Sequence, residues 1–503
     1  MTAPTPVEIE LKLALPPQQA ARFVSLMARR HTAPVRQVLR TRYFDTPDFV
    51  LSAQGVALRT RQLGRRWVQT LKTEGERSGG LSRRAEYEMP VSRGTPDWSG
   101  FPAEALAWVP VSLRGQLVPV FETRFTRTVW RVATRSGAQI EVALDTGEVR
   151  AGKAVQPVCE IELELKAGEP DALFVLAESW AQKLDCVPLD VSKAERGVRL
   201  ALGRHDEPVR SVPVALNGRM TVEAGFAAVV QACLTQFQAN LPGVQTSTDI
   251  EYVHQARVAL RRLRAVLRLI RRVCVPPEAL MAGLHALTSA LGPARDWDVL
   301  CGETLPAIAP SFDDAAVWQQ GMDALQSQRA SVRKAMQRAL TDARPGAWLL
   351  ACQRWLLQRG WQDATQAQRR AQRSPLKPWA RKALRKRHRK VVRHAEASGL
   401  LHARQLHALR IAIKQQRYAV DFFGSLFGRC RKGRYQASLQ QLQDSLGRAN
   451  DARMAKVLLT GTAADTGPMG PFSLGWLSAK QAAVPAAGIA KQLKRFVKRD
   501  ACW

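Results

Sequence analysis

The sequence predicts an α+β protein: an N-terminal closed antiparallel β-sheet with charged residues inside, followed by a duplicated all-helical domain. Three observations support this fold class. Charged residues alternate along several candidate strands, a basic helical pattern occurs twice later on, and most of the excess positive charge lies in that later part. At 503 residues the chain is too long for one hydrophobic core. We therefore predict a sheet domain at 1–203, a linker at 204–218 and a helical domain at 219–503, with similar halves at about 219–345 and 375–503.

The positive charge is distributed unevenly along the chain. The formal net charge is +32. Residues 1–203 carry 28 Lys and Arg against 23 Asp and Glu, whereas residues 204–503 carry 47 against 20. An excess of this size favours a polyanionic partner for the helical domain.

Cysteine spacing and hydropathy indicate the compartment. The eight cysteines form no C-x-x-C pair, which is typical of free thiols in a reducing compartment and disfavours a zinc site. Residues Met1–Pro6 show no export signal, and the longest uncharged stretch contains too many polar residues to span a membrane. We expect a cytoplasmic protein without a membrane partner.

The candidate strands of the first domain carry alternating charge. Glu8-Ile9-Glu10-Leu11-Lys12 places two carboxylates and an amine on one face, because residues two apart on a strand share a face. The same pattern recurs in Arg59-Thr60-Arg61, in Arg84-Ala85-Glu86-Tyr87-Glu88 and in Glu160-Ile161-Glu162-Leu163-Glu164. Each strand alone is typical of a solvated amphipathic strand. Their co-occurrence favours a closed sheet with a wet interior, where carboxylates hold hard cations and Arg and Lys hold phosphate oxygens.

The strand motifs resemble those of the CYTH family, the triphosphate tunnel metalloenzymes, which include inorganic triphosphatases, thiamine triphosphatases and class IV adenylyl cyclases. The signature E-x-E-x-K matches Glu8-Ile9-Glu10-Leu11-Lys12. Further matches follow in the family's order across about 200 residues: Tyr43-Phe44-Asp45-Thr46, Leu58-Arg59-Thr60-Arg61, Thr70-Leu71-Lys72, Arg84-Ala85-Glu86, Ala143-Leu144-Asp145, Cys159-Glu160-Ile161-Glu162 and Ser192-Lys193.

The resemblance implies an eight-stranded antiparallel tunnel that binds metal and triphosphate. It implies Mg²⁺ or Mn²⁺ ligands at Glu8, Glu10, Asp145 and two of Glu160, Glu162 and Glu164, whose register stays open. It implies that catalysis depends most on Glu8, Glu10 and Lys12. The implied triphosphate-binding residues are Lys12, Arg59, Arg61, Lys72, Arg84, Arg127 and Lys193, with Arg124 an alternative to Arg127.

The activity implied is metal-dependent hydrolysis of inorganic triphosphate or short polyphosphate to phosphate and pyrophosphate. Three alternatives stay open. The protein could be an adenylyl cyclase or a thiamine triphosphatase, although no base-reading element is visible in the sequence. It could also be a non-catalytic protein that binds polyphosphate granules.

A basic helical pattern is duplicated in the second half of the chain. His254, Arg257, Arg261 and Arg264 recur as His407, Arg410, Lys414 and Arg417 at identical offsets. A second motif is also duplicated: Leu291-Gly292-Pro293-Ala294-Arg295-Asp296 resembles the later segment Leu446-Gly447-Arg448-Ala449-Asn450-Asp451. At about 100° per residue, each copy places one histidine and three cations on one helix face.

This duplication resembles the CHAD domain, a helical family of two similar halves that is associated with inorganic polyphosphate. The resemblance implies polyphosphate binding by the eight stripe residues and a location on polyphosphate granules. A solvated basic surface and a nucleic-acid interface are the alternatives, and buried core histidines are the alternative for His254 and His407. The stripes contain no aromatic residues for base stacking, which disfavours nucleic acid.

Overall fold

The computed structural model describes residues 7–28, 33–361, 364–397, 403–462, 465–482, 486–497 and 503. These residues form two compact units. The first unit comprises Met1–Glu207 and Arg344–Gln358, and the second comprises Pro208–Ala343 and Arg359–Trp503. Residues 344–358 lie within the predicted helical domain 219–503 but belong to the first unit.

The strands all lie in the first unit. They are β1 (Val7–Ala14), β2 (Val35–Asp45), β3 (Ala57–Leu63), β4 (Arg66–Lys72), β5 (Glu76–Ser78), β6 (Leu81–Val91), β7 (Val118–Ala133), β8 (Gln139–Ala151), β9 (Ala154–Ala167) and β10 (Val187–Pro188).

The helices are distributed over both units. They are α1 (Ala20–Ala28), α2 (Val50–Ala53), α3 (Ala103–Leu106), α4 (Val111–Arg114), α5 (Asp171–Ala181), α6 (Lys193–Ala201), α7 (Val222–Thr246), α8 (Ile250–Ile270), α9 (Glu278–Ala290), α10 (Gly292–Val299), α11 (Leu305–Ile308), α12 (Ala315–Asp342), α13 (Pro345–Leu357), α14 (Gln366–Arg373), α15 (Leu376–Ala397), α16 (Ala403–Phe423), α17 (Arg429–Gly461), α18 (Met469–Ala482) and α19 (Ala486–Val497).

Eight strands of the first unit close into an antiparallel barrel. The order is β1-β9-β8-β7-β2-β3-β4-β6, and pairing of β6 with β1 closes the ring. Strand β10 pairs with β1 and strand β5 pairs with β6, so both lie beside the β1–β6 seam. The predicted fold class, a closed eight-stranded tunnel followed by an all-helical region, is confirmed.

The outer faces of the barrel strands are apolar because they pack against helices. Leu13, Leu144 and Leu163 join Phe23 of α1 and Leu173 of α5 in one core. A second core lies beside α2, α3 and α4 on the opposite wall and includes Phe44, Leu58, Leu71, Phe101 and Val109. The alternation of charge and apolar residues therefore separates a polar interior from two apolar outer walls.

Helix α13 completes the first of these cores. Ala347 and Leu350 lie in it, and α13 packs against α5 and β10. Gly346 allows a close approach, because a Cβ there would lie 1.9 Å from the backbone oxygen of Cys186.

The second unit is built from helix pairs. Helices α7 and α8 pack together, as do α15 and α16, and α16 also packs against α8. The paired helices carry the two copies of the sequence repeat, one on α8 and one on α16. Among the described residues, each helix lacks either the length or the apolar character that crossing a membrane requires.

Candidate functional site

The barrel encloses a cavity of about 510 Å³. Charged and polar side chains dominate its lining, which comprises Val7, Glu8, Glu10, Lys12, Tyr43, Ala57, Arg59, Arg61, Lys72, Arg84, Glu86, Glu88, Arg127, Glu141, Ala143, Glu162, Glu164, Lys166, Ser192, Lys193 and Ala194. Alternate residues of each strand supply these groups, because successive side chains point to opposite faces of the sheet.

One end of the barrel is closed by helix α6. An apolar cluster seals this end and comprises Tyr43, Phe121, Val149, Ala151 and Val158, with Ala194, Val198, Leu200 and Ala201 of α6 packed against it. Gly197 of α6 lies on Phe121, and a Cβ at Gly197 would lie 2.1 Å from the Phe121 ring. The cavity is therefore blind at this end.

The other end of the barrel is open. Along β9 the exposed fraction of the inward side chains rises from 1% at Glu160 to 12% at Glu162, 32% at Glu164 and 48% at Lys166. Arg84, Glu86 and Glu88 follow the same trend on β6, from buried to exposed. The mouth of the cavity is thus formed by the C-terminal ends of β6 and β9.

A triad of carboxylates lies near the closed end. Oxygen atoms of Asp145, Glu160 and Glu162 lie within 4.8 Å of one another. The ammonium of Lys193 lies among them, 2.6 Å from Oδ2 of Asp145 and 2.9 Å from Oε1 of Glu162, and it also donates to Glu160. Arg127 donates to both Asp145 and Glu162.

Burial and opposite charge act against each other in this triad. Burial alone would raise the pKa of Glu162, but Lys193, Arg127 and Lys12 outweigh it and hold that pKa well below its usual range. Burial likewise disfavours the charge on Lys193, but Asp145, Glu160 and Glu162 raise its pKa. Glu162 and Lys193 are therefore charged at neutral pH.

The triad fits a hard divalent cation. Carboxylate oxygens are the ligands that Mg²⁺ and Mn²⁺ prefer. Several cations already pair with these carboxylates, and Lys193 lies at hydrogen-bond distance from all three of them. A divalent cation and Lys193 would therefore share or compete for the same oxygens. Glu164 lies apart from the triad and pairs with Lys166 at 2.5 Å.

A second set of ion pairs surrounds Glu8 and Glu10. Lys72 Nζ lies 2.8 and 2.7 Å from the two Glu8 oxygens. Arg84 donates to Glu8 at 3.3 Å and to Glu10 at 2.8 Å. Lys12 Nζ lies 2.8 Å from Glu10 and 3.7 Å from Glu162, so it connects this set to the triad.

Arg61 differs from the other cations of the cavity. Arg59 pairs with Glu86 at 3.5 Å, but Arg61 forms no ion pair with a carboxylate of the described residues. Its Nε donates to Thr41 Oγ1 at 3.1 Å, and its guanidinium lies 5.9 Å from the centroid of the Phe125 ring. Burial, together with the charges of Arg59 and Arg127, lowers the pKa of Arg61 to about 9. Arg61 is thus a desolvated cation without an ion-pair partner among the described residues, although the charge of Asp145 acts on it.

The structure places the predicted tunnel residues as follows. Glu8, Glu10, Lys12, Arg59, Arg61, Lys72, Arg84, Arg127, Glu162, Glu164 and Lys193 line the cavity, and Asp145 and Glu160 are buried directly behind it. Of the two arginines considered on β7, Arg127 points inward, whereas Arg124 is exposed and pairs with Glu122.

Some site residues were given no role from the sequence. Glu86 binds Lys72 at 3.1 Å, and its position two residues after Arg84 could have identified it. Glu141 lies opposite Glu164 in the β8–β9 register. Ala143 interrupts the alternation of charged residues along β8, so the sequence pattern does not identify Glu141 as a residue of the cavity. Tyr43 lies in the cavity, where Arg59 and Arg61 outweigh burial and lower its pKa.

The two basic stripes of the helical unit converge. They lie on α8 and α16, which pack together, and all eight stripe residues are at least partly exposed. The charge of Arg261 on α8 acts on both Arg410 and Lys414 of α16. Burial, followed by the charges of Arg410 and Arg261, lowers the pKa of Lys414 to about 8. Positive charge is therefore concentrated between the two copies of the repeat.

Buried donors in these stripes lack partners. Among the described residues, Nε of Arg261, Arg410 and Arg417 has no hydrogen-bond acceptor. His254 is partly buried and His407 is exposed, so neither lies in the core. Burial and then the charge of Arg295 lower the pKa of His254.

The second repeated motif lies beside the stripes. Asp296 of α10 interacts electrostatically with Arg257 and Asp451, and Asp451 interacts electrostatically with Arg410. The side chains of Arg448, Ala449 and Asn450 lie outside the described residues. Each aspartate thus balances part of the charge of one stripe.

The site and the fold define an N-terminal tunnel domain joined to a basic helical domain. The CYTH domain model matches residues 7–198, and the CHAD domain model matches residues 228–460. The chain therefore contains a match to the CYTH domain followed by a match to the CHAD domain, in the order that the sequence motifs predict.

Individual proteins are similar to parts of the chain. An inorganic triphosphatase of Haemophilus influenzae is 38% identical to this chain over 199 aligned residues. The aligned region covers 38% of this chain and 54% of that protein. The chain thus spans about half the length of this curated relative. The crystal structure of a CHAD domain from the plant Ricinus communis is 30% identical with a TM-score of 0.51, covering 58% of this chain and 97% of that one. A Hippeastrum protein, described as having a dominant triphosphatase activity, is 21% identical with a TM-score of 0.30, covering 39% of this chain and 97% of that one.

Proposed function

We propose that the tunnel unit hydrolyses inorganic triphosphate or short linear polyphosphate to phosphate and pyrophosphate, with Mg²⁺ or Mn²⁺. The observation that carries the proposal is Arg61, a buried cation without a carboxylate partner among the described residues. Its neighbours Arg59 and Arg127 each pair with a carboxylate. A phosphate chain in the cavity would supply the anion that Arg61 lacks.

The carboxylates provide the metal site in this proposal. Asp145, Glu160 and Glu162 would hold the cation, with Glu8 and Glu10 nearby as the further ligands implied by the family resemblance. A divalent cation there would neutralise charge on the phosphate oxygens.

The protein's own groups would position the reactants. Phosphoryl transfer depends mainly on positioning and on neutralising charge. Arg59, Arg61 and Lys72 would bind phosphate oxygens. A carboxylate of the tunnel, Glu8 or Glu10, would orient a water molecule and accept its proton. The water oxygen bonds to the terminal phosphorus as the bond from that phosphorus to the bridging oxygen breaks, and pyrophosphate leaves.

The closed end of the cavity favours short chains. Because α6 and Phe121 seal the barrel, a phosphate chain can insert only one of its ends through the mouth near Glu164. The remainder of a long chain would have to stay outside. Linear triphosphate therefore fits the cavity better than a long polymer does.

A substrate panel tests this function. Phosphate release would be measured with Mg²⁺ from triphosphate, long polyphosphate, ATP and thiamine triphosphate. We expect the highest kcat/KM for triphosphate, and a loss of about a hundredfold or more in Glu10→Gln, since removal of one electrostatically stabilising group from an active site typically costs this much. Glu148→Gln is the matched control, because Glu148 pairs with Arg150 on the outer face of the sheet. A preference for ATP or thiamine triphosphate would refute the proposed substrate. Absence of turnover with all four compounds would indicate a non-catalytic binding protein.

The helical unit binds inorganic polyphosphate in this proposal. Arg257, Arg261, Arg410 and Lys414 would grip the chain between α8 and α16, and the protein would reside in the cytoplasm on polyphosphate granules. The support is the convergence of the two stripes and their unpartnered Nε atoms. Competition between polyphosphate and double-stranded DNA at physiological salt tests it, and a preference for DNA would refute it.

A further inference from the structure

The backbone of Lys12, a residue of the candidate active site, is bound by two short segments that in turn contact helix α13. The N–H of Lys12 donates to the carbonyl of Gly80 at 2.9 Å. The carbonyl of Lys12 accepts from the N–H of Leu189 at 2.9 Å. Gly80 belongs to the turn between β5 and β6, and Leu189 follows β10. Two short segments outside the eight-stranded ring thus bind the Lys12 backbone along one edge of β1, whereas β9 pairs with the opposite edge.

Gln353 of α13 packs on the first of these segments. It is 4% exposed, and its Oε1 accepts from Ser78 Oγ at 3.3 Å. Gly79, at φ +62°, leaves room for this side chain, because a Cβ there would lie 2.2 Å from Gln353 Cγ. The adjacent Gly80 N–H donates to Asp190 at 2.6 Å. The turn at residues 78–80 is therefore pressed between Gln353 and the segment that leads into α6.

The same helix supports the second segment. Gly346 lies against the backbone of Cys186 and Val187, at the start of β10. Arg354 anchors α13 to α5 by donating to Asp171 at 2.7 and 3.1 Å. The two segments that bind the Lys12 backbone thus both pack on helix α13, and that helix is fixed to the barrel core.

We propose that α13 is a positioning element of the tunnel and that Gln353 is the residue through which it holds Lys12 in place. The proposal rests on the proposed function for its kinetic consequences, but not for its structural ones. The chain runs from the second unit into α13 and back again, at residues 343–344 and 358–359. In the sequence, this segment comes between the two copies of the helical repeat, so the tunnel depends on residues from within the helical part of the chain.

Kinetics of single and double variants of the full chain test this role. Gln353→Ala leaves a void beside Gly79 and frees the turn, so we expect triphosphatase kcat/KM to fall about tenfold, since small misplacements of a binding group have effects of this size. Gln353→Met keeps the packing on Gly79 and should retain most of the activity. If Gln353 acts through Lys12, the double variant Lys12→Ala/Gln353→Ala should be no slower than Lys12→Ala alone.

Gln358→Ala is the control variant. Gln358 follows α13 and donates to Asp171 at 2.7 Å, but it does not touch the turn at residues 78–80. We expect near-normal kinetics in this variant. Additive effects of Gln353→Ala and Lys12→Ala, or equal losses in Gln353→Ala and Gln358→Ala, would overturn the role of Gln353.

Hydrogen–deuterium exchange separates this inference from the proposed activity. Gln353→Ala should accelerate exchange of the Lys12 and Gly80 N–H groups, whereas Gln358→Ala should not. This measurement needs no turnover. Unchanged exchange at both N–H groups would refute the inference even in an active enzyme, and faster exchange would support it even if the protein hydrolyses nothing.

Discussion

The ammonium of Lys193 lies 2.6 Å from Oδ2 of Asp145, and both side chains are almost completely buried. Lys193 comes from the first turn of α6, whereas Asp145 lies at the centre of β8. The docking of one helix into the barrel end therefore places a cation among three carboxylates that would otherwise repel one another. This ion pair links the closure of the tunnel to the charge balance of the carboxylate triad.

Replacement of Lys193 tests that link. Lys193→Met leaves Asp145, Glu160 and Glu162 with less compensating charge, and removal of one partner from a buried ion pair costs about 3–5 kcal/mol. We expect a lower Tm in the absence of metal. We also expect Mg²⁺ to raise the Tm of this variant more than that of the native protein, because the cation no longer competes with the ammonium.

Lys183→Met serves as the control, since Lys183 is exposed on the same unit. Both Tm values should stay close to those of the native protein. Equal Mg²⁺-dependent shifts in the native protein and in Lys193→Met would show that the triad does not hold the metal.

The sequence was sufficient to predict the barrel and most of its charged lining. Alternating charges identify which face of a strand points inward, because the side-chain period of a strand is two. The pattern could not place Lys193 within the triad, because that contact depends on how α6 docks, 48 residues from Asp145 in the chain. It also could not assign α13 to the tunnel unit. The segment Pro345–Leu357 is largely apolar, but composition does not specify which core buries it.

Arg261 is expected to dominate polyphosphate binding by the helical unit. Its charge reaches both Arg410 and Lys414 of the second stripe, so it lies where the two stripes meet. Arg261→Ala should weaken polyphosphate binding and reduce the slope of log affinity against log salt by about one, as for the loss of one phosphate contact. Affinity would be measured at several salt concentrations. Arg338→Ala, an exposed arginine of α12, is the control, and an equal loss there would indicate only non-specific attraction.

The pH dependence of polyphosphate binding should depend on Lys414. The pKa of this lysine is lowered to about 8, first by burial and then by Arg410 and Arg261. Lys414 carries its charge below this pKa and loses it above, so affinity should fall a few-fold between pH 7 and pH 9. Lys414→Arg should show a flatter profile, since arginine stays protonated in this range. Identical pH profiles for the two proteins would exclude Lys414 as the titrating group.

Gly197 should determine whether the tunnel end closes. A Cβ at this position would lie 2.1–2.5 Å from three atoms of the Phe121 ring, so Gly197→Ala must displace either the ring or helix α6. Overpacking of this kind costs about 1–3 kcal/mol. Because Lys193 lies one turn earlier on α6, we expect a loss of triphosphatase activity as well as a lower Tm. Chemical denaturation and phosphate release would be measured together.

Two further variants separate the steric effect from a general effect of adding a methyl group to a glycine. Gly115→Ala is the matched control, because a Cβ there meets nothing within 4 Å. Phe121→Leu combined with Gly197→Ala removes the clashing ring atoms, so it should recover part of the lost activity and stability. If Gly197→Ala proves as stable and as active as Gly115→Ala, then α6 does not dock on Phe121 as described. The cavity would then lack the blind end on which the proposed preference for short phosphate chains rests.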